Sequence, residues 1–324
     1  MMAGKNNHST TNLSELTFLS TSGYCNIHVC IWYPDKTKYT RPIGIIQLAH
    51  GMVDHIERFE AMATYFAQRG FLVVGNDHLG HGDSIASKDD WGYFVDREDC
   101  ATYLVKDMHK LTKIIKKKYP NLPYILIGHS MGSFLTRKYM MMYKDELSAC
   151  VVLGTGNQRL IVVQAGRLLV HITKRFKGDR YRSSLLKKLM FANYNKDIKN
   201  CKSENAWLTR DDEIVKKYDH DEKCSFMFTV NAYEGMLKVI RFVIRNANIR
   251  HTPRYLPVLF AAGTSDPVGE YGKAVKRIYR KYARWLDDVE LKLYDNCRHE
   301  LHSEINKEQI FEDIYLWILK KINV

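Results

Sequence analysis

The pentapeptide GHSMG at residues 128–132 is the segment that most restricts what this chain can fold into. It follows an apolar run at 124–128, typical of a buried strand, and precedes the helical pattern of Leu135, Tyr139 and Met142. Two glycines let the backbone turn sharply here, and the serine between them is pushed outward with its hydroxyl exposed. The segment therefore predicts a tight strand-turn-helix unit within an α/β protein.

The rest of the chain alternates short apolar runs with helical patterns. Such runs are typical of strands buried on both faces of a parallel sheet. They lie at residues 43–48, 71–75, 124–128, 149–153, 258–262 and 289–294. Helical patterns separate them, and Asp96 is the candidate N-cap of the clearest one. We therefore predict a mostly parallel sheet with helices on both faces, and an antiparallel edge strand at residues 25–33.

The alternation stops between residues 153 and 257, where mainly helical patterns replace it. No low-complexity linker borders this segment, so we expect it to pack on the sheet domain as an insertion. We divide the chain into a core of residues 1–154 and 255–324 and an inserted helical cap of residues 155–254.

The inserted segment carries most of the positive charge. Residues 155–250 hold 20 Lys and Arg against 10 Asp and Glu, or +10 of the total +13, and nine of these basic residues lie within 159–188. A nucleic-acid-binding protein more often spreads its basic surface across the fold, so we expect no nucleic-acid partner. Two interpretations of the basic stretch stay open. It is either a solvated helix face, or a surface that docks on anionic lipid headgroups or attracts a phosphate-bearing substrate.

Composition and cysteine usage favour a globular protein in a reducing compartment. With 45% apolar and 26% charged residues, the chain resembles neither a disordered nor a membrane-embedded protein. Its seven cysteines are odd in number and form no CxxC motif, which favours free thiols. The first fifteen residues contain no apolar signal region. We expect a cytoplasmic protein that contacts the membrane peripherally through the basic cap, if the second interpretation holds.

An exposed serine on a sharp turn predicts nucleophilic chemistry. A serine hydroxyl needs a histidine base and an orienting carboxylate, which should follow in the order acid, then histidine, on loops after later strands. Asp266 comes after the run at 258–262, and His299 comes after the run at 289–294. The competing candidates are Asp287 and Asp288 for the acid, and His302 for the base.

Negative charge that develops on a substrate oxygen requires two preorganised amide donors. One candidate is the N–H of Met131, directly after the serine, and the other is the N–H of Met52 in the loop after the run at 43–48. Gly51 permits a close backbone approach in that loop. A plain turn is the alternative interpretation of the His50-Gly51 pair.

His78 and His81 are spaced like metal ligands. They lie in a glycine-containing loop, residues 77–82, and the chain has no HExxH motif, so structural histidines are the better interpretation. Serine, histidine and aspartate chemistry requires no metal or organic cofactor, and we expect none.

Together these motifs resemble the α/β-hydrolase family of monoglyceride lipases and lysophospholipases, the serine aminopeptidase-like branch. The resemblance covers roughly residues 15–154 and 255–322 and rests on five ordered motifs. They are residues 50–55, 58–59, 77–84, 128–132 and 298–300. The resemblance implies an α/β-hydrolase fold with a helical cap. It also implies Ser130 as nucleophile, Asp266 as acid and His299 as base, with oxyanion donors from Met52 and Met131.

The implied activity is hydrolysis of carboxylic esters in lipid monoesters, monoacylglycerols or lysophospholipids, through an acyl-enzyme intermediate. The candidate substrate-binding residues are His50, Gly51, His129, Phe176, Trp207 and Phe228, although aromatic side chains like those of the cap are more often simple cap core than pocket wall. Two alternatives stay open. A peptidase of the same branch would need an acidic cluster in the cap, which is basic here, and a catalytically silent binding protein usually lacks one of the triad residues.

Overall fold

The computed structural model of the protein describes residues 13–95 and 99–323, and within them the strands form one eight-stranded sheet. The strands are β1 Leu13–Leu19, β2 Asn26–Trp32, β3 Gly44–Ala49, β4 Phe71–Asn76, β5 Tyr124–His129, β6 Ala149–Leu153, β7 Val258–Gly263 and β8 Val289–Tyr294. Their order across the sheet is β1-β2-β4-β3-β5-β6-β7-β8. β2 is antiparallel to both β1 and β4, and the other neighbouring pairs are parallel. The predicted mostly parallel sheet is therefore confirmed.

Helices cover both faces of the sheet. They are α1 Glu60–Ala67, α2 Cys100–Lys118, α3 Met131–Met142, α4 Leu160–Lys177, α5 Ser184–Phe191, α6 Asp212–His220, α7 Val230–Val243, α8 Asn246–Ile249, α9 Lys273–Tyr282 and α10 Lys307–Ile322. Side chains that alternate along β3 show the two layers: Ile45 belongs to the same apolar cluster as Leu104 of α2, and Ile46 to the cluster of Phe66 and Ile314. The near-continuous apolar runs of the central strands are explained by this burial on both faces.

Two details of the sheet differ from the predictions. β2 is antiparallel as predicted, but it is not the edge strand, because β1 pairs along its outer side from Leu13 to Leu19. β8 lies at the opposite edge, and Tyr294 is its one buried residue, so it is not buried on both faces. Asp96, the candidate N-cap, lies outside the described residues, and α2 begins at Cys100.

The segment between β6 and β7 contains α4 to α8. α7 packs against α2 and α3 as well as against α4. An added Cβ at Gly235 of α7 would lie 2.7 Å from Cys100 Sγ, so this packing depends on glycine. α4 buries Val163 and Val170 and leaves most of its other apolar side chains exposed. Within the described ranges, no helix is both long enough and apolar enough to cross a bilayer.

Candidate active site

Ser130 occupies the sharp turn between β5 and α3 that the pentapeptide predicts. Its φ is +52°, an unusual value for a residue with a side chain, and the side chain is partly exposed. The flanking glycines make this turn possible. A Cβ at Gly128 would overlap Thr136 Oγ1, and one at Gly132 would overlap the carbonyl oxygen of Ala49. The chain therefore presents a serine hydroxyl on a strained turn that only small flanking residues allow.

His299 and Asp266 form a buried pair on the loops after β8 and β7. The Nδ1 atom of His299 lies 3.0 Å from Asp266 Oδ1, and the two side chains are 1% and 0% exposed. The same carboxylate oxygen accepts the N–H of Val268 at 2.9 Å, which fixes its position. With Nδ1 donating to the carboxylate, Nε2 of the neutral ring is the proton acceptor. This buried Nε2 has no hydrogen-bond partner among the described residues, so it is available to a substrate or nucleophile.

Contacts around His129 and Gly154 bring this pair next to the nucleophile. The His129 ring, directly before Ser130, lies 4.7 Å from the His299 ring, and its Nε2–H donates to the His299 carbonyl oxygen at 3.2 Å. An added Cβ at Gly154 would lie 3.1 Å from His299 Cε1. The preceding residue, Leu153, accepts the N–H of Ser130 at 3.0 Å. The candidate nucleophile, base and acid thus meet at the carboxyl edge of β5 to β8.

The competing candidates lie in different surroundings. The His302 ring stacks on Phe59 at a centroid distance of 4.1 Å, and burial lowers the pKa of His302 to about 3. The two alternative acids precede β8, at the opposite end of the strand from His299. They form ion pairs there, Asp287 with Arg254 and Asp288 with Lys321.

The loop after β3 and the start of α3 carry the candidate oxyanion donors. Met131 is the first residue of α3, so its N–H has no acceptor within the helix. Met52 follows Gly51, where an added Cβ would lie 3.3 Å from Ser130 Cβ. The close approach predicted for Gly51 therefore brings the Met52 loop against the nucleophile.

His50 supports that loop from behind. Its Nδ1–H donates to the Gly51 carbonyl oxygen at 2.8 Å, and its Nε2 accepts the N–H of His78 at 2.9 Å. Burial lowers the pKa of His50 to about 3, so the ring is neutral at physiological pH. The side chain is fully buried against the His78 and His81 rings, so it shapes the loop and does not face the substrate space.

A buried charge network, which the sequence analysis did not find, joins the two catalytic loops. Arg58 donates to Asp54 Oδ1 at 2.7 Å and to both oxygens of Glu300, at 2.9 and 2.7 Å. Asp54 Oδ2 accepts the N–H of Gly51 at 3.1 Å, and Glu300 directly follows His299. Burial alone would raise the pKa of Asp54, but the Arg58 charge holds it well below its usual range. These residues lie within the family motifs, yet no local pattern pairs positions 58 and 300.

The aromatic candidates lie at different distances from the triad. Trp207 is buried, its ring lies 5.0 Å from the His299 ring, and its carbonyl oxygen accepts the His299 N–H at 3.4 Å. Phe228 is buried against His81, with 5.4 Å between the two ring centroids, and so lies behind the loop that carries Met52. Phe176 is 80% exposed, so the structure does not bring it into an enclosed pocket. It lies about 220° around α4 from the buried Val163, which explains its exposure.

Four groups of side chains among the described residues have the spacing of metal ligands, and one of them adjoins the triad. It consists of Asp54, His129 and His302, with ligand atoms within 4.8 Å of one another. Both Asp54 oxygens already accept N–H donors, and the Arg58 guanidinium beside them repels a cation. The chemistry of this donor set therefore does not fit a metal ion.

Comparisons with known proteins identify the family and the fold of this chain. The family model described as serine aminopeptidase, S33, matches residues 40–306. A monoacylglycerol lipase from Mycolicibacterium smegmatis is 27% identical over 312 residues, which are 95% of this chain and 98% of that protein. A thermostable carboxyl esterase from Bacillus coagulans has a TM-score of 0.88 at 26% identity and covers 96% of this chain and 99% of its own. A monoglyceride lipase from Saccharomyces cerevisiae shares the fold, with a TM-score of 0.74 at 17% identity over 98% of each chain. The chain therefore belongs to the serine aminopeptidase S33 family of α/β-hydrolases.

Proposed function

We propose that this carboxylic ester hydrolase cleaves lipid monoesters, monoacylglycerols or lysophospholipids, through an acyl-enzyme intermediate. The observation that carries the proposal is the buried Asp266–His299 pair beside the strained Ser130. The relative from Mycolicibacterium smegmatis is a monoacylglycerol lipase. The esterase from Bacillus coagulans was solved with glycerol, the alcohol that monoacylglycerol hydrolysis releases. Both relatives support an ester substrate with an alcohol of this kind.

In the first half-reaction, the Ser130 hydroxyl attacks the ester carbonyl while His299 Nε2 accepts its proton. The tetrahedral intermediate collapses as the C–O bond to the alcohol breaks, and His299 returns the proton to the leaving oxygen. Asp266 stabilises the imidazolium through its bond to Nδ1–H. In the second half-reaction, water loses a proton to His299 and attacks the acyl-serine ester. The bond to the Ser130 oxygen then breaks, His299 returns the proton to that oxygen, and the fatty acid is released. No step requires a cofactor.

The N–H groups of Met52 and Met131 stabilise the oxyanion in both half-reactions. Each such donor lowers the barrier by about 2.7–4 kcal/mol in comparable sites. Donors of this kind act only if they are fixed before the reaction, and the Gly51 N–H bond to Asp54 supplies that rigidity to one of the two loops. Arg58 links the same carboxylate to the loop that carries the base. We therefore assign Asp54 and Arg58 as positioning residues for the two catalytic loops.

Residues 155–254 form the cap in this proposal, and they supply both a wall of the acyl site and a membrane contact. Trp207 is the assigned wall residue, because its buried ring lies against His299. The outer face of α4 and α5 exposes large apolar side chains, six of them more than half exposed: Ile161 76%, Val162 58%, Leu168 61%, Phe176 80%, Leu185 55% and Leu189 62%. Basic residues lie among them. A face that combines apolar and basic side chains suits peripheral docking on an anionic bilayer.

We further propose a cytoplasmic location. All seven cysteines are free thiols, and six of them are buried, which suits a reducing compartment. Membrane contact would then occur at the cytoplasmic leaflet, whose anionic lipids attract basic surfaces.

The central test is Ser130→Ala, assayed with a p-nitrophenyl acyl ester, a monoacylglycerol and a lysophospholipid. We expect the rate to fall about 10⁴-fold or more on every substrate, because the nucleophile is lost. Ser14→Ala on the exposed face of β1 is the matched control and should retain full activity. Retained turnover in Ser130→Ala with an unchanged melting temperature would refute the proposal. Turnover of aminoacyl p-nitroanilides but of no ester would favour the peptidase alternative.

A further inference from the structure

A basic cavity of about 260 Å³ lies between α3, α4 and α7, away from the catalytic edge. Its lining residues are Asp99, Lys138, Arg167, Lys238, Arg241, Phe242, Arg245 and Asn248. Lys138 lies eight residues after the nucleophile on α3, which places it about 12 Å along the helix from Ser130. Five cations and one carboxylate thus surround a space that the proposed ester chemistry does not use.

Two of the five cations already have carboxylate partners. Lys138 Nζ lies 3.3 Å from Asp99 Oδ2, and Lys238 Nζ lies 3.1 Å from Glu234 Oε1. Lys138 is nearly buried, and Asp99 is half exposed. Each of these two lysines is therefore neutralised by a carboxylate. The three arginines are the remaining positive charge of the cavity.

The three arginines approach one another without a counter-ion. None of Arg167, Arg241 and Arg245 has a carboxylate within ion-pair distance in the part of the chain that the structure describes. Arg241 lies in the last turn of α7 and Arg245 just beyond the end of that helix, and Arg167 of α4 lines the same cavity. The Arg245 charge, with burial and Arg167, lowers the pKa of Arg241. The buried Nε of Arg241 has no hydrogen-bond partner among the described residues.

We propose that this cavity binds a phosphate-bearing anion. Guanidinium groups match the oxygens of a phosphate with paired N–H donors, and such charge-assisted bonds are among the strongest in proteins. The doubly charged phosphate fits three unpaired arginines better than a carboxylate, which carries a single charge. Bound phosphate would satisfy the free Nε of Arg241 and tie α4 to α7. The anion comes either from a free phosphate compound or from the headgroup of an anionic lipid.

Calorimetric titration with inorganic phosphate tests the site, with sodium chloride at equal ionic strength as the reference. We expect one phosphate per chain, and Arg241→Gln and Arg245→Gln should each weaken binding about tenfold or more. The matched control is Arg284→Gln, an exposed arginine beyond α9 that does not line the cavity. It removes the same charge and should leave the affinity unchanged. Melting temperatures of all variants establish that they fold.

Sedimentation with vesicles distinguishes the two sources. One set contains phosphatidic acid in phosphatidylcholine, and the other contains phosphatidylcholine alone. If the anion is a lipid headgroup, Arg241→Gln should lose binding to the acidic vesicles, and inorganic phosphate should compete at constant ionic strength. If the anion is a free compound, the unmodified protein should bind inorganic phosphate in calorimetry, and Arg241→Gln should not change binding to the acidic vesicles. Equal heats in phosphate and chloride, together with vesicle binding insensitive to both arginine variants, would overturn the proposal.

Discussion

Charged side chains at the catalytic edge are buried and paired, whereas apolar side chains on the outer face of α4 and α5 are exposed. At the edge, the Asp266–His299 pair and the Arg58 network are almost closed to solvent. On the outer face, Ile161 and Phe176 are 76% and 80% exposed. Each region reverses the usual distribution, in which charges face water and apolar groups face the core.

The difference follows from what each region has to do. A buried charge without partners costs several kcal/mol, so charges at the edge persist only where other groups hold them in one geometry. Fixed geometry is also what acid–base and oxyanion chemistry require. An exposed apolar face has no fixed partner in the chain and gains free energy only when another surface covers it. The edge is therefore rigid, and the outer face is suited to an adaptable contact.

The largest effect is expected at the buried network. Arg58→Met leaves Asp54 and Glu300 buried without a counter-charge, which should lower the free energy of unfolding by about 3–5 kcal/mol. Urea denaturation measures this, and kcat on a soluble ester should fall more than KM changes, because positioning is lost. Arg254→Met removes an exposed ion pair with Asp287 and should cost less than about 1 kcal/mol. Equal losses of unfolding free energy in Arg58→Met and Arg254→Met would contradict the difference between the buried network and an exposed ion pair.

The next effect concerns the turn that holds the nucleophile. Gly132→Ala adds a Cβ that overlaps the Ala49 carbonyl and lies 2.6 Å from that of His50, two backbone atoms that cannot rotate away. We expect kcat to fall about 100-fold, since the nucleophile and the oxyanion loop shift together. In Gly166→Ala on α4, the new Cβ would meet Leu237 at an ordinary 3.5 Å, so activity should persist. A Gly132→Ala enzyme with normal kcat would show that the turn tolerates more than its geometry suggests.

Acid should weaken the catalytic edge more than the outer face. Burial lowers the pKa of His50 and His302 to about 3 and that of His81 to about 4. In the unfolded chain these pKa values are near 6.5, so below pH 6.5 the unfolded state binds protons that the folded state excludes, and stability falls. Each histidine should contribute about 2 kcal/mol of loss between pH 7 and 5.

Urea denaturation at several pH values checks this acid effect. His302→Gln should reduce the slope of unfolding free energy against pH. His171→Gln, at an exposed position of α4, should leave the slope unchanged. An unaltered slope in His302→Gln would argue against a neutral buried ring.

The smallest effect is expected on the outer face. Phe176→Ser should leave hydrolysis of a soluble ester unchanged and weaken binding to acidic vesicles about tenfold, because part of the exposed ring no longer enters the bilayer. Leu316→Ser on α10 is the matched control. Leu316 is an exposed apolar residue like Phe176 and is 54% exposed, but it lies on another helix. Vesicle sedimentation at low salt measures the difference. If both variants bind like the unmodified protein, or if neutral and acidic vesicles bind equally, the outer face is a solvated surface.

Most of the sheet could be predicted because buried parallel strands are continuous apolar runs. All six predicted runs are strands of the sheet, two of them, Ala149–Leu153 and Val289–Tyr294, with the predicted bounds. β1 was missed because an edge strand has one neighbour, and most of residues 13–19 are exposed, so they carry no apolar run. Ser130, Asp266 and His299 could be chosen as candidates because their order follows the strands.

Other parts of the site depend on residues far apart in the chain. Arg58 and Glu300 are 242 residues apart, and neither has a local pattern that indicates a partner. The Phe176 side chain was predicted to line the pocket, but its position around α4 places it in solvent. The three cavity arginines also come from two distant segments, α4 and the end of α7 with the residues just after it, and only the spacing of Arg241 and Arg245 is visible locally.

By itself, the sequence determined the local units of this protein: the buried strands, the amphipathic helices and the glycine-flanked turn that exposes Ser130. Those features depend on sterics and burial among residues a few positions apart. Only the tertiary structure decided which charges are buried together, as in the Arg58 network, and which are left unpaired, as in the basic cavity. The physical reason is that the energy of a charge depends on every group around it, and those groups come from distant parts of the chain.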